Sequence, residues 1–144
     1  MSTLDKKITR GYIFSRQFMG ERVPQHIQNA IIRDYCSKNN LVFLLSATEY
    51  AMEGNCMVLK QVLSEIENID GIVAYSVFQL PEDNTTRNKI LDEIILKKKV
   101  IHFAVEGTKV ENLNEKKEIN NLWLVKKAMK KCLRREEFWE TYKK

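Results

Sequence analysis

Short apolar runs alternate along the chain with longer segments in which apolar residues recur every three or four positions. The apolar runs are Arg10–Phe14, Leu41–Leu45, Ile72–Val77 and Val100–Val105, and their length and content are typical of strands. The segments between them are typical of amphipathic helices. Because strands and helices alternate, the pattern predicts an α/β fold with a four-stranded, mainly parallel sheet, flanking helices and right-handed crossovers.

Three helices are predicted between the strands, each with one apolar face. They cover Pro24 to about Ser37, a segment that starts near Asn55, and Asn88–Lys98. Pro24 suits a first helical turn and Asn55 suits an N-cap. Their predicted inward residues are Ile27, Ala30, Ile31 and Tyr35; Val58, Leu59, Val62, Leu63 and Ile66; and Ile90, Leu91, Ile94 and Ile95.

The remaining stretches predict connections. Leu41–Leu45 is apolar at every position, so both faces of this strand should be buried. Met1–Thr9 is expected to be a polar lead-in, Ser46–Gly54 a loop, and Thr108–Asn114 a polar connection. The chain of 144 residues is expected to form a single α/β domain, 1–144, with its core at 10–107.

A long last helix is predicted from about Glu115 to Tyr142. Its apolar stripe includes Trp123, Met129 and Trp139 and is longer than packing against a small sheet requires. We therefore expect these three residues to form the interface of a homo-oligomer, with an ordinary core helix as the alternative. The basic residues of this helix are expected to form its solvated face, or alternatively to contact DNA or another anionic surface.

Composition limits the location and the partners. The chain is 44% hydrophobic and 30% charged, with a formal net charge of +5 and a pI near 9.1, which is ordinary for a soluble protein. This charge is too small to indicate nucleic-acid binding. The apolar runs are too short for a membrane span, and the first residues lack the apolar region of a signal peptide. We therefore expect a cytoplasmic protein.

Cysteine and histidine do not form a metal-binding pattern. Cys36, Cys56 and Cys132 are widely spaced, and His26 and His102 lie far apart, so no set of ligands has the spacing of a zinc site. We predict no metal and no cofactor. His102, inside the fourth strand, is expected to be a core histidine, and His26 a surface one.

The segment Gly71–Arg87 is predicted to carry the functional site. Its strand breaks at Leu80-Pro81, and a helix follows through Asp83, Asn84 or Thr85, which are all good N-caps. Parallel sheets bind ligands beyond the carboxyl ends of their strands. The candidate catalytic residues are Ser15, Arg16, Glu49, Gln79 and Glu82, and the candidate ligand-binding residues are Gln17, Gln28, Tyr50, Cys56, Tyr75, Ser76 and Glu106.

The residue types suggest roles and also structural alternatives. Ser15 and Arg16 could hold a carboxylate or a phosphate, or Arg16 could simply pair with Glu49 or Glu82. Gln79 could bind sugar hydroxyls, and Glu82 could act as a general base if it is buried. The alternative for this pair is a turn with solvated charges.

Tyr50 and Cys56 lie on the second loop and at the following helix start. The Tyr50 ring could stack on a sugar or a base, or the loop around Glu49 and Tyr50 could be a cover without chemistry. A helix N-terminus lowers the pKa of a thiol and could make Cys56 a nucleophile. A small buried thiol is the alternative.

The order of elements resembles the catalytic domain of small serine recombinases, the resolvases and invertases. Tyr12 to Arg16 matches that family's first-strand motif Y-x-R-V-S, Gln28 matches a glutamine of its first helix, and Asp70–Asp83 overlays its third strand and D-R-L-G-R segment. The resemblance covers about residues 10–107 and the long last helix. It implies a resolvase-like sheet with flavodoxin-like strand order, and dimerisation through the last helix.

The chain departs from that family at the catalytic positions. Arg16 stands where the nucleophilic serine belongs, and Ser15 comes one residue early. Family arginines are replaced by Phe14, Cys56, Gln79 and Glu82, and Phe78 replaces the aspartate. DNA cleavage by a serine needs guanidinium groups that neutralise the developing phosphate charge. We therefore expect no recombinase activity.

The motifs at 14–24 (FSRQFMGERVP) and 75–83 (YSVFQLPED), taken together, resemble sporadic carbohydrate cluster proteins, a bacterial family encoded among genes for surface-polysaccharide synthesis. That resemblance implies an enzyme or accessory protein of surface-carbohydrate biosynthesis with a sugar or nucleotide-sugar ligand at the strand ends. The alternatives are an inactive, DNA-associated recombinase relative and a scaffold for a partner enzyme. Whether the protein is an enzyme stays open.

Overall fold

Five strands and four α-helices make up the protein in its computed structural model, which describes residues 6–15, 22–49 and 57–143, with side chains to residue 129. The strands are β1 (Lys7–Phe14), β2 (Leu41–Glu49), β3 (Gly71–Ala74), β4 (Val100–Phe103) and β5 (Thr108–Val110). The helices are α1 (Gln25–Lys38), α2 (Met57–Ser64), α3 (Asn84–Leu96) and α4 (Leu113–Lys143). None of these helices is both long and apolar enough to cross a membrane.

The strands form one mixed sheet in the order β2-β1-β3-β4-β5. The first four are parallel, and β5 pairs antiparallel with β4. The α/β class and the parallel arrangement of the four predicted strands are confirmed. The chain leaves β1 on one side to form β2 and returns on the other side to form β3, so the carboxyl ends of β1 and β3 border the topological switch point.

The fifth strand was missed because its sequence is short and polar. Gly107, with a φ of 65°, occupies the left-handed region that glycine enters without steric cost. The chain then turns back along β4, where Val110 pairs with Ile101 and is fully buried. One inward valine is a weak strand pattern. The pairing with β4 therefore stabilises β5, which its local strand propensity alone would not do.

Two expectations for β1 and β2 were wrong. β1 begins at Lys7 rather than Arg10, and Thr9 is buried, with its hydroxyl donating to the Val42 carbonyl at 2.9 Å. β2 is an edge strand that continues to Glu49, and Leu45 is 77% exposed. β2 pairs with a neighbour on one side only, and apolar residues of such an edge strand can remain exposed to solvent.

A bulge bends the pair formed by β1 and β2. The register shifts between Arg10 and Tyr12, and a Cβ atom on Gly11 would lie 2.2 Å from the Ser46 hydroxyl oxygen. A larger residue at position 11 would therefore have to displace the Ser46 and Phe43 side chains of the neighbouring strand. The bulge also re-aims the end of β2, where Glu49 turns inward and is 1% exposed.

The buried face of α1 was also predicted wrongly. The residues that point inward are Gln28, Ile32 and Cys36, whereas Ile27 is 40% exposed. Of the predicted face, Ala30 is exposed and Ile31 and Tyr35 are half-buried. The helix is rotated because Gln28 makes hydrogen bonds to the chain at the end of β1, and an amide with several buried partners outweighs one exposed isoleucine.

Two cores cover the two faces of the sheet. A small core joins α1 to the sheet through Ile13, Ile32 and Val73, and a larger core joins α2, α3 and α4 to the other face. The predicted faces of α2 and α3 are confirmed. Trp123 is 2% exposed and packs edge-on against Phe78 with ring centroids 5.1 Å apart. The expectation that Trp123 lies in a subunit interface is therefore wrong, because the indole is part of the chain's own core.

Candidate functional site

The carboxyl edge, which we define as the carboxyl ends of β1 to β4 with the turns that follow them, is tied together by polar side chains. Glu49 ends β2, Ser15 follows β1, Ser76 and Gln79 follow β3, and Glu106 follows β4. Each of these predicted site residues hydrogen-bonds to a neighbouring strand or turn or, for Gln79, to Gln28 of α1. These contacts link the strand ends to one another. They determine which hydrogen-bonding groups remain for a ligand.

An amide pair bridges β1 and β3 at the switch point. Gln28 donates from Nε2 to the carbonyls of Phe14 and Val23, both at 2.8 Å, and accepts from the Phe14 amide at 3.0 Å. Its oxygen also accepts from Nε2 of Gln79 at 2.8 Å. Two donors and two lone pairs are therefore all used, so Gln28 is fully satisfied.

Gln79 retains hydrogen-bonding capacity. Its side chain is 2% exposed, and its oxygen accepts from the Tyr75 amide at 3.1 Å while one N–H binds Gln28. The second N–H has no partner among the residues that the structure describes. Among the candidates at the switch point that the structure describes, Gln79 therefore has a donor left for a ligand.

Glu49 fixes the start of α2. Its carboxylate accepts from the Tyr12 hydroxyl at 2.9 Å, from the Val58 amide at 3.0 Å and from the Leu59 amide at 3.4 Å. Those amides belong to the first turn of α2, where helical N–H groups lack intrahelical partners and a negative charge is favourable. The carboxylate of Glu49, a predicted catalytic residue, therefore has a structural role, because it caps α2 from the end of β2.

Two serines at the edge are similarly engaged. The Ser15 hydroxyl donates to the Glu49 carbonyl at 3.1 Å. The Ser76 hydroxyl donates to Glu106 at 2.8 Å and accepts from the Phe78 amide at 3.2 Å, and Glu106 also accepts from the Val77 amide at 2.9 Å. The Ser15 hydroxyl therefore donates to a backbone carbonyl, which cannot act as a base, whereas the Ser76 hydroxyl donates to a carboxylate that also holds the Val77 amide.

Glu82 lies at the surface, and a buried arginine behind it organises the corner. Glu82 is exposed, and its carbonyl accepts from Arg87 Nη1 at 2.9 Å. Asp83, one of the three predicted N-caps, caps α3 through the Thr86 amide at 2.9 Å, and this hydrogen bond lowers the pKa of Asp83. An exposed Glu82 does not meet the condition of burial set for a general base.

Arg87 is the residue that the sequence pattern did not single out. Its guanidinium is 2% exposed, donates to the Pro81 carbonyl and to Asn120 Oδ1 at 3.1 Å each, and lies 4.8 Å from the Trp123 ring centroid. Burial lowers the pKa of Arg87, opposed by the charges of Asp83 and Glu82. This buried guanidinium thus connects the corner to α4.

Some predicted residues cannot be placed. Arg16, Gln17, Tyr50 and Cys56 lie outside the described residues, so their roles stay predictions. Tyr75 is half-buried and packs against the small core on the α1 side of the sheet. Its predicted role in ligand binding likewise remains a prediction.

A second polar region lies at the opposite edge of the sheet. An open cavity of about 600 Å³ is bordered by Lys7, Leu41 and Val100, the first residues of three parallel strands, and by Tyr35 and His102. The Tyr35 hydroxyl and His102 Nδ1 are 2.8 Å apart. His102 is 9% exposed, as expected for a core histidine. We call this the His102 cavity; no site residue was predicted in it.

The comparisons with known proteins add no family. No family model matches the chain, and no curated protein matches it. Within the described part of the chain, no three His, Cys, Asp or Glu side chains are grouped so that they could hold a metal ion. The functional argument therefore depends on the geometry and on the resemblance of the motifs.

Proposed function

We propose that this chain is a cytoplasmic protein of bacterial surface-carbohydrate biosynthesis, and that it binds a sugar or nucleotide-sugar ligand at the carboxyl edge. In this proposal it has a resolvase-like architecture and does not cleave DNA. The ligand lies over the switch point between β1 and β3, the usual ligand position in a sheet with this strand order. The proposal covers ligand binding and leaves the reaction open.

One observation carries the proposal: a neutral, buried amide pair occupies the switch point. Gln79 donates to Gln28 at 2.8 Å and keeps one N–H without a partner among the described residues. A neutral donor of this kind suits a sugar hydroxyl or carbonyl, because such a group is recognised by hydrogen bonds and not by charge. A scissile phosphate would instead require cationic donors at this place.

The buried side chain of Arg87 supports the same proposal. Arg87 would be the obvious candidate to neutralise a phosphate at the corner, yet its donors are directed to Pro81, Glu82, Asn84 and Asn120. Withdrawing those donors would leave carbonyl and amide oxygens without partners, which is unfavourable in a buried site. Arg87 therefore supports the corner and is not free for phosphoryl chemistry.

Binding to a panel of nucleotide sugars and sugar phosphates, measured by calorimetry, tests the proposal. We expect at least one saturable ligand, and a tenfold or greater loss of affinity in Gln79→Met, because a lost donor at a buried contact removes about 1.4 kcal/mol or more. Gln61→Met, on the exposed side of α2, is the matched control and should bind as the unmodified chain does. Equal binding by both variants, no binding across the panel, or cleavage of supercoiled DNA would refute the proposal.

We also propose a homo-oligomer through α4, with a changed set of residues. Leu124, Val125 and Met129 are 63%, 55% and 54% exposed and can take the role first given to Trp123, while Trp139 lies beyond the described side chains. Met129→Glu should lower the mass measured by light scattering, since a charge in an apolar interface is costly. Lys117→Glu, exposed near the start of the same helix, is the control and should leave the mass unchanged.

A further inference from the structure

The His102 cavity contains an aromatic pair that presents one open ring nitrogen. Tyr35 and His102 meet edge-on, with ring centroids 5.4 Å apart, and the Tyr35 hydroxyl occupies Nδ1 of the imidazole. The other nitrogen, Nε2, has no hydrogen-bond partner among the described residues, and His102 lines the cavity. This nitrogen is therefore available to a bound molecule.

The imidazole is neutral at physiological pH. Burial and the nearby Lys109 ammonium lower the pKa of His102 to about 4, against a smaller opposing effect of Glu111. A neutral imidazole exchanges hydrogen bonds with hydroxyl groups but does not attract anions. The Asn39 side chain, which donates one N–H to the Tyr35 carbonyl at 2.8 Å, adds an amide oxygen to the lining.

The charges around the cavity favour a cation. Lys109 forms an ion pair with Glu111, with a nitrogen–oxygen distance of 3.1 Å. Among the described residues, the remaining charged side chains of the lining are Lys7, Glu115 and Glu118. One oxygen of Glu115 accepts from the Glu111 amide at 2.9 Å, and neither Lys7 nor Glu118 has an ion-pair partner in that part of the chain. Two carboxylates against one ammonium leave one net negative charge.

We infer that the His102 cavity is a binding site for a small polyhydroxylated molecule that carries one positive charge, the class of the amino sugars. The Tyr35 and His102 rings with Asn39 bind its hydroxyl groups, and Glu118 and Glu115 hold its ammonium group. The volume of about 600 Å³ lies in the range of ordinary small-molecule sites. This site lies at the other edge of the sheet from the carboxyl edge, and the inference does not rest on the proposed function.

Three hexoses that differ in charge test the inference, and the ring signals of His102 in NMR spectra report binding. Glucosamine, glucose and glucose 6-phosphate are titrated into the full chain at about pH 6, where an amino group is protonated. Glucosamine should shift the His102 signals saturably, glucose should bind about fivefold more weakly, and glucose 6-phosphate more weakly still. The signals of His26, the chain's other histidine, are the internal reference and should not move.

Matched charge variants complete the test. Glu118→Gln should weaken glucosamine binding about fivefold and leave glucose binding unchanged, because only the ammonium contact is lost. Glu67→Gln removes the same charge from an exposed turn outside the cavity and should change neither. Unmoved His102 signals, tightest binding by glucose 6-phosphate, or equal effects of the two variants would overturn the inference. Gln79→Met should not alter glucosamine binding, so failure of one proposal can be told from failure of the other.

Discussion

The two polar regions of this sheet use the same kinds of side chain in opposite ways. At the carboxyl edge, Gln28, Glu49 and Glu106 bond to backbone groups of neighbouring strands and turns. In the His102 cavity, a ring nitrogen and the Glu118 carboxylate have no hydrogen-bond or ion-pair partner among the described residues. In the part of the carboxyl edge that the structure describes, the polar groups named above are engaged by the chain itself, with one N–H of Gln79 left over, whereas the second region faces an open volume.

The difference shows that polar residues after buried strands can be structural even where topology favours a ligand. Each turn after a parallel strand must satisfy backbone amides that leave the sheet ladder, and a nearby side chain does this when water is excluded. Glu49 and Glu106 do it for the starts of α2 and of the turn at Val77. In the His102 cavity Glu115 does the same for the Glu111 amide, whereas the second ring nitrogen of His102 and the Glu118 carboxylate keep no partner among the described residues.

The largest effect is expected for Gln28→Ala. The substitution removes four hydrogen bonds and leaves the Phe14 backbone and Gln79 with unpaired buried groups, so the free energy of unfolding should fall by about 4 kcal/mol. Urea denaturation measures it, and Gln25→Ala, exposed at the start of the same helix, should change it by less than about 0.5 kcal/mol. Similar values for the two variants would mean that the edge is not held by this amide.

A pH dependence of about 3 kcal/mol is expected from His102. Its folded pKa of about 4 lies below the ordinary value of 6.5, so the unfolded chain binds the proton more readily and stability falls as the pH drops from about 6.5 through 4. His102→Gln should remove this part of the slope, measured by urea denaturation at several pH values. His26→Gln should keep it; if instead both variants retain the full slope, His102 is not held neutral in the cavity.

Glu49→Gln should lower the free energy of unfolding by about 2 kcal/mol. The variant places an amide nitrogen among the Tyr12 hydroxyl and the first-turn amides of α2, and it removes a negative charge from the helix N-terminus. Thermal and urea denaturation report the change, with Glu67→Gln as the exposed control. A neutral result for Glu49→Gln would show that its carboxylate is free for a ligand, contrary to the closed edge.

The smallest effect is a gain in stability of about 1 kcal/mol for Thr108→Val. The Thr108 hydroxyl in β5 is buried without a hydrogen-bond partner among the described residues, and replacing it by a methyl group of similar shape removes an unsatisfied polar group. Thr86→Val removes a hydroxyl that donates to Asp83 at 2.8 Å and should be destabilising. Loss of stability in Thr108→Val would indicate that this hydroxyl is satisfied in solution.

Much of the fold could be predicted because its pattern is local. The four parallel strands and the inward faces of α2 and α3 follow from apolar spacing, and capping chemistry limited the start of α3 to Asp83, Asn84 or Thr85. The edge position of β2 and the rotation of α1 could not be predicted, since both depend on which neighbours surround an element. Leu45 and Ile27 are apolar residues whether they are buried or exposed, so their identity alone does not show which of the two they are.

The candidate site was predicted less well than the fold. Ser15, Glu49, Gln79 and Glu106 do come together at the carboxyl edge, as topology required. Their engagement with backbone groups was not foreseeable, because a hydrogen bond depends on distances of a few tenths of an ångström between segments far apart in sequence. For the same reason, the burial of Arg87 could not be predicted from the sequence. Nor could the shared cavity of Tyr35 and His102, which are 67 residues apart.

The amino-acid sequence by itself determined the succession of strands and helices, the absence of a metal-ligand spacing and the neutral or acidic residues at the corner. Periodicity and local capping depend on a few neighbouring residues, so they can be identified from the amino-acid sequence alone. Which polar groups are consumed and which stay open was decided by the packed chain, through the amide pair at Gln28 and Gln79 and the open nitrogen of His102. Satisfying a buried donor needs a partner in space, and only the folded arrangement of distant segments supplies one.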